Sequence, residues 1–146
     1  MEKVVELERK MELPVEKVFA LWLDPLRFPQ WFLPDPHERL GRVQLDPKVG
    51  GHFLIEMILG PQTLPHTGTF RKIETNKAIS FTWHSHMTGA QGSLVELEFE
   101  SQGKQKSLLR LRHHDLDTIE SREAHAKGWA QILGAIEVYL LAQGEA

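Results

Sequence analysis

The sequence contains no cysteine. That excludes a disulfide scaffold, a thiolate zinc site and cysteine nucleophile chemistry. It also lacks an excess of positive charge: 17 lysines and arginines stand against 20 aspartates and glutamates, for a formal charge of −3. Generic nucleic-acid binding wants a basic face, and none is apparent, so no nucleic-acid partner is expected. No apolar run is long enough to span a bilayer. The first ten residues, Met1 to Lys10, carry charge throughout in place of the apolar core of a signal peptide. The expectation is a cytoplasmic protein without membrane insertion. GxSxG, HExxH and glycine-rich phosphate loops are absent as well, which leaves nucleophilic-serine, zincin and nucleotide chemistry without support.

What is present is ordinary globular material. The 146 residues are 41% hydrophobic and 25% charged. That is enough apolar side chain for a core without covalent or metal staples, and it matches one domain over residues 1–146. Val5, Leu7 and Arg9 alternate with Glu6, Glu8 and Lys10, a period of two that predicts a first strand with one wet face. Pro14 is placed to open a helix at its first position, and Val15, Val18, Phe19 and Trp22 then share one face. Asp24-Pro25 repeats the start signal for a short turn of helix carrying Phe28, Trp31 and Phe32, which Pro34 and Pro36 stop.

From about 38 to 113 the texture is that of strands. Phe53, Ile55 and Met57 alternate with His52, Leu54 and Glu56 after Gly50-Gly51; Gly60-Pro61 and Pro65 mark the following turn. Ile79, Phe81 and Trp83 share a face beyond Thr75-Asn76-Lys77. Past a turn at Gly89 to Gly92, Val95, Leu97 and Phe99 alternate with three glutamates. Gln102-Gly103-Lys104 reads as a hairpin into a strand with Leu109, Leu111 and His113 inward and Arg110, Arg112 and His114 outward, so that Glu98 and Glu100 meet Arg110 and Arg112. Residues 118–142 are helical, with His125, Trp129, Ile132, Leu133, Ile136 and Leu140 in one stripe. A long helix arriving last buries that stripe across the concave face of the sheet, and a cavity between the two is the natural place for function.

Several segments together resemble a known family. Val18-Phe19-Ala20-Leu21-Trp22 with Asp24-Pro25 and Gln30-Trp31 is similar to the opening of the START-like (SRPBCC) superfamily. More narrowly, it resembles the AHSA-type group, named after the activator of the ninety-kilodalton heat-shock protein ATPase. Asp46 to Phe53 resembles that group's second signature. Gly68-Thr69-Phe70, Ile79 to Trp83, Leu109 to His113 and Ala124 to Trp129 resemble its middle strands, closing strand and helix. The resemblance implies an α+β helix-grip fold, a curved antiparallel sheet around a long C-terminal helix with two short helices after the first strand. Its members include lipid carriers, hormone receptors, cyclases and chaperone activators, so the fold alone decides little about chemistry.

Three functions follow as expectations. The first is a binding module for a small hydrophobic or amphipathic molecule. Its site comprises Trp31, Phe53, Ile55, Met57, Phe70, Phe81, Trp83, Leu111, His113, His125, Trp129 and Leu133, with Tyr139 as a further orienting group. Gly128, a helix-interior glycine costing about 1 kcal/mol relative to alanine, would let the helix pass close to the strands while Trp129 lines the cavity. The second is a protein-interaction module of chaperone-cofactor kind; the eukaryotic activators add a separate N-terminal domain for which this chain has no room. A homodimer is compatible with either. The third is a cyclase- or hydrolase-type enzyme using a cavity histidine, His113 or His125. It would need a partner such as Glu56 or Glu96, yet alternation turns both outward, so the expectation leans away from catalysis and names no catalytic residue. His84 and His86, two apart beside an inward Trp83, point outward and lack a third ligand; no metal and no cofactor is expected.

Overall fold

The computed structural model describes residues 3–32 and 38–144. Its elements run β1 (Val5–Met11), α1 (Val15–Leu21), α2 (Phe28–Trp31), β2 (Arg39–Leu45), β3 (His52–Leu59), β4 (Gln62–Glu74), β5 (Ala78–Trp83), β6 (Ser93–Gly103), β7 (Lys106–His114) and α3 (Ile119–Ala142). The strands form one seven-stranded antiparallel sheet in the order β1-β7-β6-β5-β4-β3-β2. This is the expected helix-grip arrangement: six strands follow one another as neighbours, and β1 closes the far side against β7.

Alternation along the strands sorts the two faces. Phe53, Ile55 and Met57, then Ile79, Phe81 and Trp83, then Val95, Leu97 and Phe99 are all buried. Together with Leu109 and Leu111 of β7 and Trp129, Ile132, Leu133, Ile136 and Leu140 of α3 they belong to one apolar core. Each large side chain so buried contributes about 1.5–3 kcal/mol, which is why the long helix lies on the sheet. The opposite face is charged. Arg110 donates to Glu8 and Glu100, and Arg112 donates to Glu6. Of the anticipated contacts of Glu98 and Glu100 with Arg110 and Arg112, the one between Glu100 and Arg110 forms; Arg112 has Glu96, not Glu98, opposite it on β6 and binds Glu6, which lies directly opposite it on β1.

The local signals hold with shifts that have physical causes. Pro14 is the residue just before α1, with extended backbone, and its carbonyl accepts from Lys17 and Val18. The Asp24 side chain caps a turn by accepting from the backbone of Leu26 and Arg27, and α2 begins only at Phe28. The stop assigned to Pro34 and Pro36 lies outside the described residues. Pro65 is inside β4, not in a turn. It sits opposite Glu56, and in a hairpin closed by the Leu59–Gln62 pair that is a position whose N–H points away from β3, so its loss breaks no bond of that ladder. The β6–β7 connection is Lys104-Gln105, since Gly103 still pairs with Lys106. Thr118 caps α3 by accepting from the Ser121 N–H. Gly144 follows the helix end at φ 72°, the left-handed conformation that glycine supplies without a Cβ penalty.

Gly68 is demanded by close approach. A Cβ on Gly68 would lie 1.9 Å from the Thr82 carbonyl oxygen and 2.5 Å from the Phe53 ring. Here β4 leaves β3 for β5, and the Phe53 ring occupies the space that a side chain at 68 would fill.

Candidate functional site: a histidine-lined cleft under the C-terminal helix

The interior between the short helices and the sheet is filled. Trp22, Phe28, Phe32, Phe53, Phe70 and Phe81 converge there and leave a void of about 20 Å³, room for no more than about one water molecule. The open space lies farther along α3. A cleft of about 320 Å³ separates the N-terminal half of the helix from β3, β4 and the turn after β5, within the size range of small-molecule sites. Its apolar wall is Met57, Leu59, Leu64, Trp83, Met87, Trp129 and Ile132. Its polar wall is Glu38, His66, Ser85, His86, His125, Lys127 and Gln131.

Gly128 lies on the helix side of this cleft. The expectation that it brings the helix against the strands is not met: a Cβ placed there meets nothing within 4 Å among the described residues. Its backbone φ is not positive either. Neither protein packing nor backbone geometry calls for glycine, and the missing side chain enlarges the cleft instead.

Below the cleft a chain of hydrogen bonds joins helix to sheet. Trp129 Nε1 donates to His113 Nδ1 at 2.9 Å. An imidazole that accepts at Nδ1 carries its proton on Nε2. That proton goes to Ser93 Oγ at 2.7 Å, and Ser93 in turn donates to the Trp83 carbonyl at 2.7 Å. Each donor has one acceptor, so the chain has a single direction and fixes a single tautomer. Burial pushes His113 down to about 2 from the ordinary 6.5, and the neighbouring His125 and His114 push the same way. His113 is thus a neutral structural group whose lone pair is occupied by Trp129, which leaves it nothing to offer as a general base. Glu56 and Glu96 do face outward, bound to Arg42 and His114.

Two further imidazoles differ in one respect. His66 Nδ1 lies 3.0 Å from the Leu64 carbonyl oxygen and 3.3 Å from that of Ile55. Carbonyls only accept, so Nδ1 carries the proton and Nε2 is left with a bare lone pair. His125 Nδ1 lies 2.8 Å from the Ser121 carbonyl oxygen, with the same consequence. The Ser121 hydroxyl holds the turn in place by donating to the Met87 carbonyl at 2.7 Å. Burial pushes His66 down to about 4 and lowers His125 too, partly opposed by its bond to Ser121. His86 completes this wall, its ring 6.4 Å from that of His66. Among the described residues no group of three or more histidine, aspartate or glutamate side chains is arranged to hold a metal ion.

Of the residues singled out from sequence, Met57, Trp83, His125 and Trp129 meet at the cleft. Phe53, Ile55, Phe70 and Phe81 line the small interior void with the other edge of Trp83. Trp31, Leu111, His113 and Leu133 are buried in the core and border neither space. Tyr139 is also elsewhere: its hydroxyl donates to Gln30 and accepts from Arg27, tying α3 to α2. Sequence reasoning missed His66, Leu64 and Met87. His66 was legible in principle, because 66, 68 and 70 share a period of two and all three are buried; the adjacent Pro65 hid the strand.

The family model described as Activator of Hsp90 ATPase homolog 1-like protein matches residues 12–141. Similar solved structures include protein CV1439 from Chromobacterium violaceum, at 20% identity and TM-score 0.80, covering 93% of this chain and 96% of that one. The AHSA1-like protein from Aeromonas hydrophila is 23% identical with TM-score 0.76, covering 97% and 96%. PFC0360w, an HSP90 activator from Plasmodium falciparum, is 24% identical with TM-score 0.72, covering 94% and 95%. At such identities the likeness concerns the fold. No curated protein matches the sequence.

Proposed function

The chain belongs to the family described as Activator of Hsp90 ATPase homolog 1-like protein, and from that premise we propose that it binds a small hydrophobic or amphipathic molecule in the cleft between sheet and α3. The observation that carries this reading is Gly128. A helix-interior glycine costs about 1 kcal/mol relative to alanine, and no described protein atom is close enough to its missing Cβ to repay that. An occupant of the cleft does. The wall around it supports the same reading: methionine, leucine and tryptophan supply contact area, and a few imidazoles fix orientation.

Docking on a protein partner, as the family description suggests, wants a contiguous exposed apolar patch. Among the described residues the exposed large apolar side chains are Leu26, Val49, Leu59, Ile119, Val138 and Leu141, and of these only Val138 and Leu141 stand one helical turn apart. The ligand reading is therefore preferred, in a cytoplasmic protein. No helix among the described residues is long and apolar enough to cross a membrane.

The test uses N-phenyl-1-naphthylamine, a neutral arylamine whose fluorescence rises in apolar surroundings. A saturable one-to-one rise is expected with the native chain, and its loss with Gly128→Leu, whose side chain occupies the cleft. An unchanged titration in that variant would place binding elsewhere and defeat the reading.

A further inference from the structure

The polar wall of the cleft has a chemical sign that its residue types alone do not reveal. His66 and His125 arise on different elements, β4 and α3, yet each commits its Nδ1–H to a backbone carbonyl. Each is left with an Nε2 lone pair that no described residue engages, on a wall of the same cleft. His66 is 93% withdrawn from solvent, its exposure being 7%, so an acceptor there without a partner is costly when an occupant displaces water. Resting on the ligand-binding reading above, we propose that the cleft selects neutral ligands carrying a hydroxyl or N–H donor on an aromatic or alicyclic skeleton, with Nε2 of His66 and of His125 as the acceptors, and that it rejects carboxylates of the same size.

The asymmetry follows from donor and acceptor count. A ligand hydroxyl gives His66 or His125 the proton that its lone pair lacks. A carboxylate brings only acceptors, so it leaves both nitrogens unsatisfied and loses its own hydration as well. Converting the imidazoles to donors would require protonating them. Burial opposes that in both, and the nearby His86 adds to the opposition. Lys127, the one lysine or arginine on the wall among the described residues, is exposed at the rim, where solvent screens it, and Glu38 brings the opposite charge to the same wall.

Isothermal titration calorimetry near neutral pH with 2-naphthol, 2-methoxynaphthalene and 2-naphthoate separates the alternatives, because the three share a skeleton and differ in one group. The expected result is about tenfold tighter binding of 2-naphthol than of either other compound, the size of one net hydrogen bond. 2-Naphthol has one O–H to donate and either imidazole can accept it, so in the double variant His66→Phe/His125→Phe the advantage over 2-methoxynaphthalene should shrink to less than about threefold, while 2-methoxynaphthalene itself binds at least as well as before. The single variants His66→Phe and His125→Phe are compared with it because His66 also satisfies strand carbonyls, and circular dichroism verifies that each protein is folded. Binding of 2-naphthoate as tight as that of 2-naphthol would overturn the proposal and leave the ligand cleft standing. A naphthol preference that survived in the folded double variant would overturn the assignment to these histidines. If none of the three compounds bound, the underlying reading would fail with it.

Discussion

Gly128→Ala is expected to make the protein more stable and its cleft less useful. The position is interior to α3, its φ is not positive, and the added methyl meets no described atom within 4 Å. The change therefore yields the full difference in helix propensity, about 1 kcal/mol, partly by restricting the unfolded chain. With about 2.1 cal/mol/K of unfolding entropy per residue, 146 residues correspond to about 0.3 kcal/mol/K, so the melting temperature should rise by about 3 °C. Gly128→Leu should melt no lower than the native chain, since leucine is nearly as good a helix former. Differential scanning calorimetry on the three proteins without ligand measures this, and the naphthylamine titration measures the cost. The decisive pattern is stability rising while binding falls. A melting temperature that dropped with alanine would mean that a protein contact needs the glycine, and the cleft argument would lose its support.

Three further outcomes follow from the same geometry. His66 and His113 are pushed down to about 4 and about 2 in the folded protein, whereas the unfolded chain protonates them near 6.5. The unfolded state thus binds more protons below that value, and the stability present above it drains away as pH falls. At about pH 5 the two together should cost roughly 4 kcal/mol relative to neutral pH, read by urea denaturation; a flat profile from neutral pH to 5 would contradict the neutral tautomers. Ser93→Ala should destabilise by about 1–3 kcal/mol, because it strands the buried His113 Nε2–H, and an effect under about 0.5 kcal/mol would mean that water replaces the hydroxyl. Gly68→Ala should cost about 3 kcal/mol or more in the same assay, since its methyl would overlap the Thr82 carbonyl and the Phe53 ring.

The architecture was legible because most long elements carried a clean period, β4 around Pro65 being the exception. The strand faces ending in Trp83, Phe99 and His113 and the stripe from Trp129 to Leu140 were each readable without a neighbour. The site was legible only in part. Periodicity tells that Phe53 and Phe81 point inward, but not that the aromatic side chains of α1 and α2 fill the space in front of them, which depends on packing between elements distant in sequence. Trp83, Met57, Trp129 and His125 were found because they lie where inward-facing elements diverge. His66 was hidden by a proline tolerated inside a strand, and Met87 by a turn with no period at all. Gly128 was singled out for its cost, but its cause was misassigned: sequence shows that a methyl is missing, and only coordinates show whether protein or empty space lies opposite. The tautomers of His66, His113 and His125 depend on which carbonyl lies in reach, and no sequence pattern encodes that.

The most direct test of the account is a ¹⁵N–¹H correlation spectrum recorded while N-phenyl-1-naphthylamine is added. The account predicts shifts concentrated at Gly128, Lys127, Met87, His66 and the Trp83 and Trp129 indoles, with the outer face of β1, β6 and β7 unmoved. Shifts centred on that charged face or on the exposed end of α3 at Val138 and Leu141, with the cleft silent, would contradict it.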